Sequence, residues 1–321
     1  MQIFTAQLPL PTNYLYGDFF AFHLRDQHNV AEIVEENTLH KGIIWQQHAT
    51  KMTLELKKQQ AIISLEIDPP SVIVNEQDLL TLAQHVLGLK QNIDEFEKYY
   101  CENPTLGQLI EKQRGLRIYQ SASAFEALVW AIIGQQISVH AAIAIRRRFI
   151  QAVGIQHTSG IWCFPDTPQV KSVDDETLRQ TGFSKGKITA LRALCEAIEN
   201  QQIDLSQHVT HSNANQITEQ LLKIKGIGPW TVSYALLRGF NYLDGSLHGD
   251  VAVRRNLQTL LDKPEQPNAK ETEKWLAQFS PWRALVAAHL WRSQSAAGYW
   301  LIKKSPLHIE KWAFQLYAIS I

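Results

Sequence analysis

Apolar residues change their spacing partway along the chain, and the change divides it. In the N-terminal third they alternate or run together among β-formers. Thr50 to Lys57 and Ala61 to Ile67 are separated by Lys57-Lys58-Gln59-Gln60 and end at Asp68-Pro69-Pro70, so two strands are predicted there. Phe19 to Leu24 and Ile43 to Trp45 fit further strands. From Glu76 the period becomes helical, with Leu79, Leu80, Leu82, Ala83, Val86 and Leu87 marking a helix that Gly88 stops. The expectation is a small antiparallel sheet with helices on one face, occupying residues 1–114.

From Ser121 onward nearly every segment reads as helix. Phe125, Leu128, Val129, Ile132 and Ile133 form an apolar stripe with Ser121 or Ser123 as cap, and the helix breaks at Gly134-Gln135-Gln136-Ile137-Ser138 before Val139 to Val153 resumes it. Asp174 or Asp175 starts a helix that Gly182 ends, and Gly186 to Asn200 forms another. Asp262 to Lys270 is a loop, Pro281 opens a helix through Trp291, and Trp312 to Tyr317 makes an apolar tail that packs back on the body. The chain is thus an α+β protein whose C-terminal region, 115–321, is mainly helical.

A single stretch stands out in the helical region. Ile217, Gln220, Leu221 and Ile224 recur at helical spacing before Lys225-Gly226-Ile227-Gly228-Pro229-Trp230, and Trp230, Tyr234, Leu237 and Arg238 do so after it. This is a helix, a tight turn and a second helix. The two glycines strip side chains from the turn and let its amides approach a partner, and proline opens the second helix where a missing N–H costs nothing. Such bare amides at a helix N-terminus attract an anion such as a phosphate. An ordinary helical hairpin is the competing reading.

Charge alters this picture only locally. Lys plus Arg equals Asp plus Glu at 31 each, so the chain does not grip a polyanion by bulk charge, and any such contact uses backbone dipoles and a few cations. Arg146-Arg147-Arg148, Lys185 with Lys187, Lys223 with Lys225, and Arg254-Arg255 are the candidates, with a solvated helix face as the plain alternative. The three cysteines, Cys101, Cys163 and Cys195, are far apart and show no paired spacing, which argues against a disulfide framework, a zinc site or a cysteine-held iron–sulfur cluster. No apolar run reaches bilayer length and Met1 to Leu10 lacks a signal pattern, so a cytoplasmic protein with no membrane partner is expected.

One acid is placed for chemistry. Asp250 stands directly before the helical pattern Val251 to Leu257, at an N-cap position where free N–H groups and the helix dipole favour negative charge. Trp230 and Tyr234 on the hairpin's second helix, and Trp282 and Trp291 on a later one, offer ring faces nearby, although Trp282 beside Pro281 reads as plain core. A carboxylate next to such rings suits stabilising a sugar cation while the aromatic faces hold a positively charged base.

Together, Gly115-Leu116-Arg117, Phe125 to Ser138, Gly226 to Tyr234, Leu247 to Arg255, and Pro281-Trp282-Arg283 through His289-Leu290-Trp291 resemble the helix-hairpin-helix base-excision DNA glycosylases. The match is to their alkylation-repair branch, DNA-3-methyladenine glycosylase II. The resemblance implies a TATA-binding-protein-like N-terminal domain, then two helical lobes flanking an active-site cleft. Asp250 matches the catalytic aspartate, and Trp230, Tyr234 and Trp291 match the aromatics of the base pocket. DNA contacts are implied for Gln135, Gln136, Lys225, Gly226, Ile227, Gly228 and Thr231, with the amides of Gly226, Gly228 and Trp230 on a phosphate. Backbone carbonyls of Leu222, Ile224 and Ile227 would hold a Na⁺ or K⁺ ion, and no other cofactor is expected. An aromatic from Tyr14 to Phe22 would reach the pocket.

Three positions refine this. Relatives that also cut the strand carry a lysine nucleophile where this chain has Trp230, so water would be the nucleophile here. Gln136 occupies the place of an apolar wedge that fills the gap left by an extruded base. In Leu247-His248-Gly249-Asp250 a histidine stands where relatives often have Pro and a second acid, and it either touches substrate or caps the loop, the latter being preferred. The expected partner is double-stranded DNA with alkylated bases, met by a monomer. The alternatives are a glycosylase for oxidised or deaminated bases, and a non-catalytic DNA-binding module.

Overall fold

A computed structural model describes residues 2–68 and 73–293. The first strand and helix are β1 (Gln2–Pro9) and α1 (Tyr16–His23), followed by β2 (Glu32–Glu35), β3 (Thr38–Trp45), β4 (His48–Lys57) and β5 (Gln60–Asp68). Then come α2 (Glu76–Val86), α3 (Ile93–Tyr100), α4 (Gly107–Lys112), α5 (Ala124–Gly134) and α6 (Val139–Val153). The short strands β6 (Ile155–Gln156) and β7 (Trp162–Cys163) precede α7 (Thr167–Ser172), α8 (Asp175–Gln180) and α9 (Lys185–Glu199). The chain continues with α10 (Ala214–Leu222), α11 (Pro229–Gly239), α12 (Val251–Leu260), α13 (Ala269–Ala277) and α14 (Arg283–Ser293).

The sheet runs β1-β5-β4-β3-β7-β6, with β2 also paired to β3. Its N-terminal strands are antiparallel, and β4 and β5 alternate buried and less buried positions as strands with one covered face do. Leu54, Ile63, Leu65 and Ile67 from that face pack with Leu79, Ala83 and Val86 of α2. Two differences from the sequence reading follow from partners that lie far off in the chain. Phe19 to Leu24 is helical, because Phe19, Phe22 and His23 fall on one buried helix face and the short apolar run carries no decisive period. The sheet also continues into the helical region, where β7 pairs parallel to β3 through Gly42 and Cys163.

The expected caps are present at α5, α8 and α12, and α2 and α6 carry caps as well. Asn75, Ser123, Ser138, Asp174 and Asp250 each accept an amide from the helix they open. Helix α5 is buried almost all round, as suits the central element of a helical body. Two further hydrophobic clusters fill that body. One centres on α5, α6, α9 and the inner face of α11, and the other joins α12, α13 and α14. Helices α3 and α4, assigned by sequence to the 1–114 unit, share this last core through Phe96 and Ile110. Helix α14 begins two residues after Pro281, which follows a cis bond from Ser280. The tail reading at Trp312 to Tyr317 lies outside the described residues.

A buried ion cluster ties the sheet to the helices. Lys41 of β3 donates to Glu32 at 2.6 Å and Glu126 at 2.8 Å, Arg146 of α6 reaches the same two carboxylates, and His23 lies 3.0 Å from Glu32. Two acids balance two bases, and the adjacent cations hold both carboxyls below their ordinary range while desolvation works against them. Burial lowers His23 to about 4.

Candidate active site

The hairpin is shaped by two glycines that do different work. Gly226 has φ +86°, and a Cβ there would lie 2.7 Å from the Cβ of Ala190 on α9, so both backbone and packing demand glycine. Gly228 has an ordinary extended backbone, φ −105°, and a Cβ there would meet no atom within 4 Å. Its missing side chain leaves the outer surface open. Pro229 follows at the first helical position, and α11 has no side-chain N-cap, so its first-turn amides remain available to an incoming acceptor.

Asp250 caps α12, with Oδ1 accepting the amides of Ala252 at 2.9 Å and Val253 at 3.0 Å. The same oxygen accepts the Trp291 indole N–H at 3.1 Å, and Oδ2 accepts that of Trp230 at 2.8 Å. Four N–H donors therefore fix the carboxylate, three on one oxygen and one on the other. Oδ2 keeps acceptor capacity for a reacting group.

Both indoles stand with Asp250 in the wall of a cleft of about 890 Å³, which Tyr234 also lines. The Trp230 and Tyr234 rings lie 5.5 Å apart and those of Tyr234 and Trp291 6.4 Å apart. The break between α5 and α6 also lines the cleft. There Gln135 donates through Nε2 to the Gly226 carbonyl and the Thr231 hydroxyl, both at 3.0 Å, so its donor is turned inward onto the hairpin. Gln136 is exposed at φ +57°, with Ile137 and Val139 also exposed beside it. The cleft thus brings together Asp250, Trp230, Tyr234, Trp291, Gly226, Gly228, Thr231, Gln135 and Gln136. Lys225 is exposed on the turn outside the cleft lining. The Ile224 carbonyl accepts the Ile227 amide at 3.1 Å.

Other candidates are used elsewhere. Arg146 sits in the buried ion cluster, Arg147 pairs with Asp26 at 3.0 Å and Arg148 donates to the Thr181 carbonyl at 2.8 Å. Arg146 and Arg147 are therefore tied into the fold, while Arg148 is exposed and holds the carbonyl that ends α8. Lys187 is buried and donates to the Ile133 carbonyl at 2.7 Å, closing the end of α5. His248 is 2.8 Å from the Ser246 hydroxyl within its own loop. Trp282 packs at tilted and edge-on angles among Phe96, Tyr99 and Tyr100 and does not line the cleft.

From the N-terminal unit, the residue lining the cleft among the described residues is Arg25, and no aromatic from Tyr14 to Phe22 does so. Phe22 instead lies under its guanidinium, whose carbon is 4.1 Å from the Phe22 ring centre and 4.9 Å from that of Trp130. The sequence signal for Arg25 was hidden by reading its segment as a strand. Asp68 at the end of β5 and His157 after β6 are 3.4 Å apart, and no group of His, Cys, Asp or Glu among the described residues is arranged to hold a metal. No helix among the described residues is long and apolar enough to cross a membrane.

The profile of the HhH-GPD superfamily, described as base excision DNA repair protein, matches residues 129–281, a span holding the break, the hairpin and Asp250. A DNA-3-methyladenine glycosylase of Schizosaccharomyces pombe is 28% identical over 74% of this chain and 96% of its own length. A putative DNA-3-methyladenine glycosylase of Bacillus subtilis is 30% identical over 65% of this chain and 69% of its own. Among solved structures, the 3-methyladenine DNA-glycosylase from Archaeoglobus fulgidus shares the fold with a TM-score of 0.76, at 19% identity, over 90% of this chain and 98% of its own. With the hairpin, the capped acid and the ring-lined cleft in one place, the chain belongs to the HhH-GPD superfamily of base excision DNA repair proteins.

Proposed function

We propose that the protein is a monofunctional DNA glycosylase that hydrolyses the N-glycosidic bond of alkylated purines, such as 3-methyladenine and 7-methylguanine, in double-stranded DNA. The observation that carries this reading is Asp250, fixed by the indoles of Trp230 and Trp291 inside a cleft that opens beside the hairpin. The amides of Gly226, Gly228 and Trp230 would take a DNA phosphate, and the carbonyls of Leu222, Ile224 and Ile227 would hold a Na⁺ or K⁺ ion that helps neutralise it. The damaged nucleotide turns out of the stack at a cost of about a few kcal/mol, and Gln136 fills the gap. Ring faces of Trp230, Tyr234 and Trp291 receive the base.

With the sugar at Asp250, Oδ2 stabilises the oxocarbenium ion that forms as the base departs, or orients the attacking water. An alkylated purine already carries positive charge and leaves as a neutral molecule, so the acid has little further to supply. No lysine lines the cleft among the described residues, and Trp230 stands where strand-cutting relatives keep their amine, so hydrolysis without strand cleavage follows. The protein acts as a monomer.

Excision from a duplex with one 7-methylguanine tests this. The wild type releases the base and leaves an intact abasic strand, while Asp250→Asn loses excision and keeps DNA binding. Unchanged excision in Asp250→Asn refutes the assignment of the acid, and binding without release in the wild type favours a non-catalytic module.

A further inference from the structure

The last turn of α14 ties four parts of the molecule together. His289 lies 2.9 Å from the Gln113 side chain and stacks on Phe96, and the Leu290 carbonyl accepts the side-chain amide of Asn256 on α12 at 2.7 Å. Trp291 donates to Asp250 Oδ1 at 3.1 Å. Arg292 reaches back to α1, where its Nη2 lies 3.0 Å from Asp18 Oδ1 and 2.9 Å from Oδ2. Neighbouring side chains on a helix point about 100° apart, so Trp291 meets the acid while Arg292 meets the N-terminal unit. Asp18 is the one hydrogen-bond and ion-pair partner of the Arg292 side chain among the described residues.

Asp18 is a fixed post. It stands in the first turn of α1, where the helix dipole favours an acid, and α1 is seated on the sheet core by Phe22 and the fully buried Phe19. The Tyr119 hydroxyl donates to the Leu15 carbonyl at 2.9 Å, and the Tyr16 hydroxyl donates to the Lys57 carbonyl and accepts the Gln59 amide, both at 3.1 Å. The fold gains little from the pair itself. Burial raises the Asp18 carboxyl above its ordinary range even though the adjacent guanidinium pulls it down. A raised acid favours its protonated form when folded, so at neutral pH the charged Asp18 weakens the fold rather than supporting it. What the pair supplies is position.

Of the four donors on Asp250, the amides of Ala252 and Val253 belong to the helix it caps, and the Trp230 indole sits on α11 beside the hairpin. Trp291 approaches from α14, and its bond is the longest of the four. Its place depends on how the end of that helix is held. We infer that Asp18 and Arg292 are positioning residues for base excision: the pair pins the end of α14 to the N-terminal unit and keeps the Trp291 indole N–H on Oδ1, so that Oδ2 stays turned to the sugar. This rests on the glycosylase reading. Neither residue lines the cleft, and both act through Trp291. The N-terminal unit thereby takes part in setting the catalytic acid.

The test compares wild type, Asp18→Ala, Asp18→Glu, Trp291→Phe and the double variant Asp18→Ala with Trp291→Phe, in single-turnover excision from a duplex with one 7-methylguanine. Binding to a duplex containing an abasic-site mimic and the denaturant midpoint are measured alongside. Asp18→Ala is expected to release the base about tenfold more slowly, the size of one hydrogen bond to a charged group, while its binding stays within about twofold of the wild type. Its midpoint should be level with the wild type or higher. Asp18→Glu keeps a carboxylate for Arg292 and retains most of the rate. In the Trp291→Phe background, where the donor to be positioned is gone, Asp18→Ala should change the rate less than about twofold. An unchanged rate in Asp18→Ala, a full further loss on top of Trp291→Phe, or a loss of binding equal to the loss of rate overturns the inference. A wild type that binds DNA and releases no base overturns the glycosylase reading as well.

Discussion

Trp230 donates its indole N–H to Asp250 Oδ2 at 2.8 Å, so the acid and the wall of the base cleft are one unit. A ring that serves only as a wall would tolerate another ring. Trp230→Phe keeps an aromatic face but removes the donor, and about a tenfold loss of excision on charged and neutral bases alike is expected, the size of one hydrogen bond to a charged group. Trp230→Ala also removes the face, which should cost cationic bases more than neutral ones. Single-turnover rates on 7-methylguanine and hypoxanthine duplexes separate the two effects. An unchanged rate in Trp230→Phe shows that the indole N–H does nothing.

Gln135 braces the break against the hairpin rather than spending its donor on DNA. Its loss should therefore uncouple the Gln136 tip from the phosphate-holding turn. In Gln135→Leu, excision of a lesion in a stable pair is expected to fall about tenfold, whereas the same lesion left unpaired in a bulge should be removed at nearly the wild-type rate, because no pair has to be opened. Thr231→Val removes one of the two acceptors and should give a smaller loss. Equal losses on paired and unpaired lesions would mean that Gln135 touches DNA directly.

Much of the site was legible because its signals are local. Asp250 caps the helix that begins one residue later, and the hairpin turn is written in six consecutive residues, Lys225 to Trp230. Ser123, one of the two caps the sequence offers, likewise announces α5. What stayed hidden depends on partners distant in sequence. Arg146 to Arg148 looked like a basic run because Glu32, Asp26 and Thr181 lie far away along the chain. Arg25 enters the cleft only because Phe19 to Leu24 turns as a helix, and no apolar period decides helix against strand over so few residues. The two-residue strands β6 and β7 are fixed by pairing with each other and, for β7, with β3, which leaves no pattern of its own.

Acid should weaken the fold well above the carboxylate range. Burial lowers His23 and His85 to about 4 and His289 to about 3, so each is neutral when folded while the unfolded chain takes up a proton near pH 6.5. The unfolded state binds more protons, hence stability is full above pH 6.5 and falls as pH drops toward 4. Each histidine removes about 2 kcal/mol by pH 5. Denaturant midpoints at pH 7.5, 6 and 5 should fall steadily, and His85→Gln, which keeps a donor for the Ser121 carbonyl, should flatten part of the slope. A midpoint that stays level from pH 7.5 to 5 contradicts the neutral, buried assignment.

The two hairpin glycines predict opposite outcomes for one substitution. At Gly226 alanine meets a left-handed backbone, which costs about 1–2 kcal/mol by itself, and Ala190 stands in the way of the new methyl group. Gly226→Ala should therefore lower the unfolding midpoint clearly. At Gly228 the backbone is ordinary and the space is empty, so Gly228→Ala should leave stability unchanged or raise it by about 0.4–1 kcal/mol through the unfolded chain. If the turn holds a phosphate through bare amides, that methyl group lies between the amides and the backbone of DNA. Gly228→Ala should then bind a duplex containing an abasic-site mimic about tenfold more weakly while folding at least as well as the wild type. Undiminished binding in that variant would place the phosphate elsewhere on the protein.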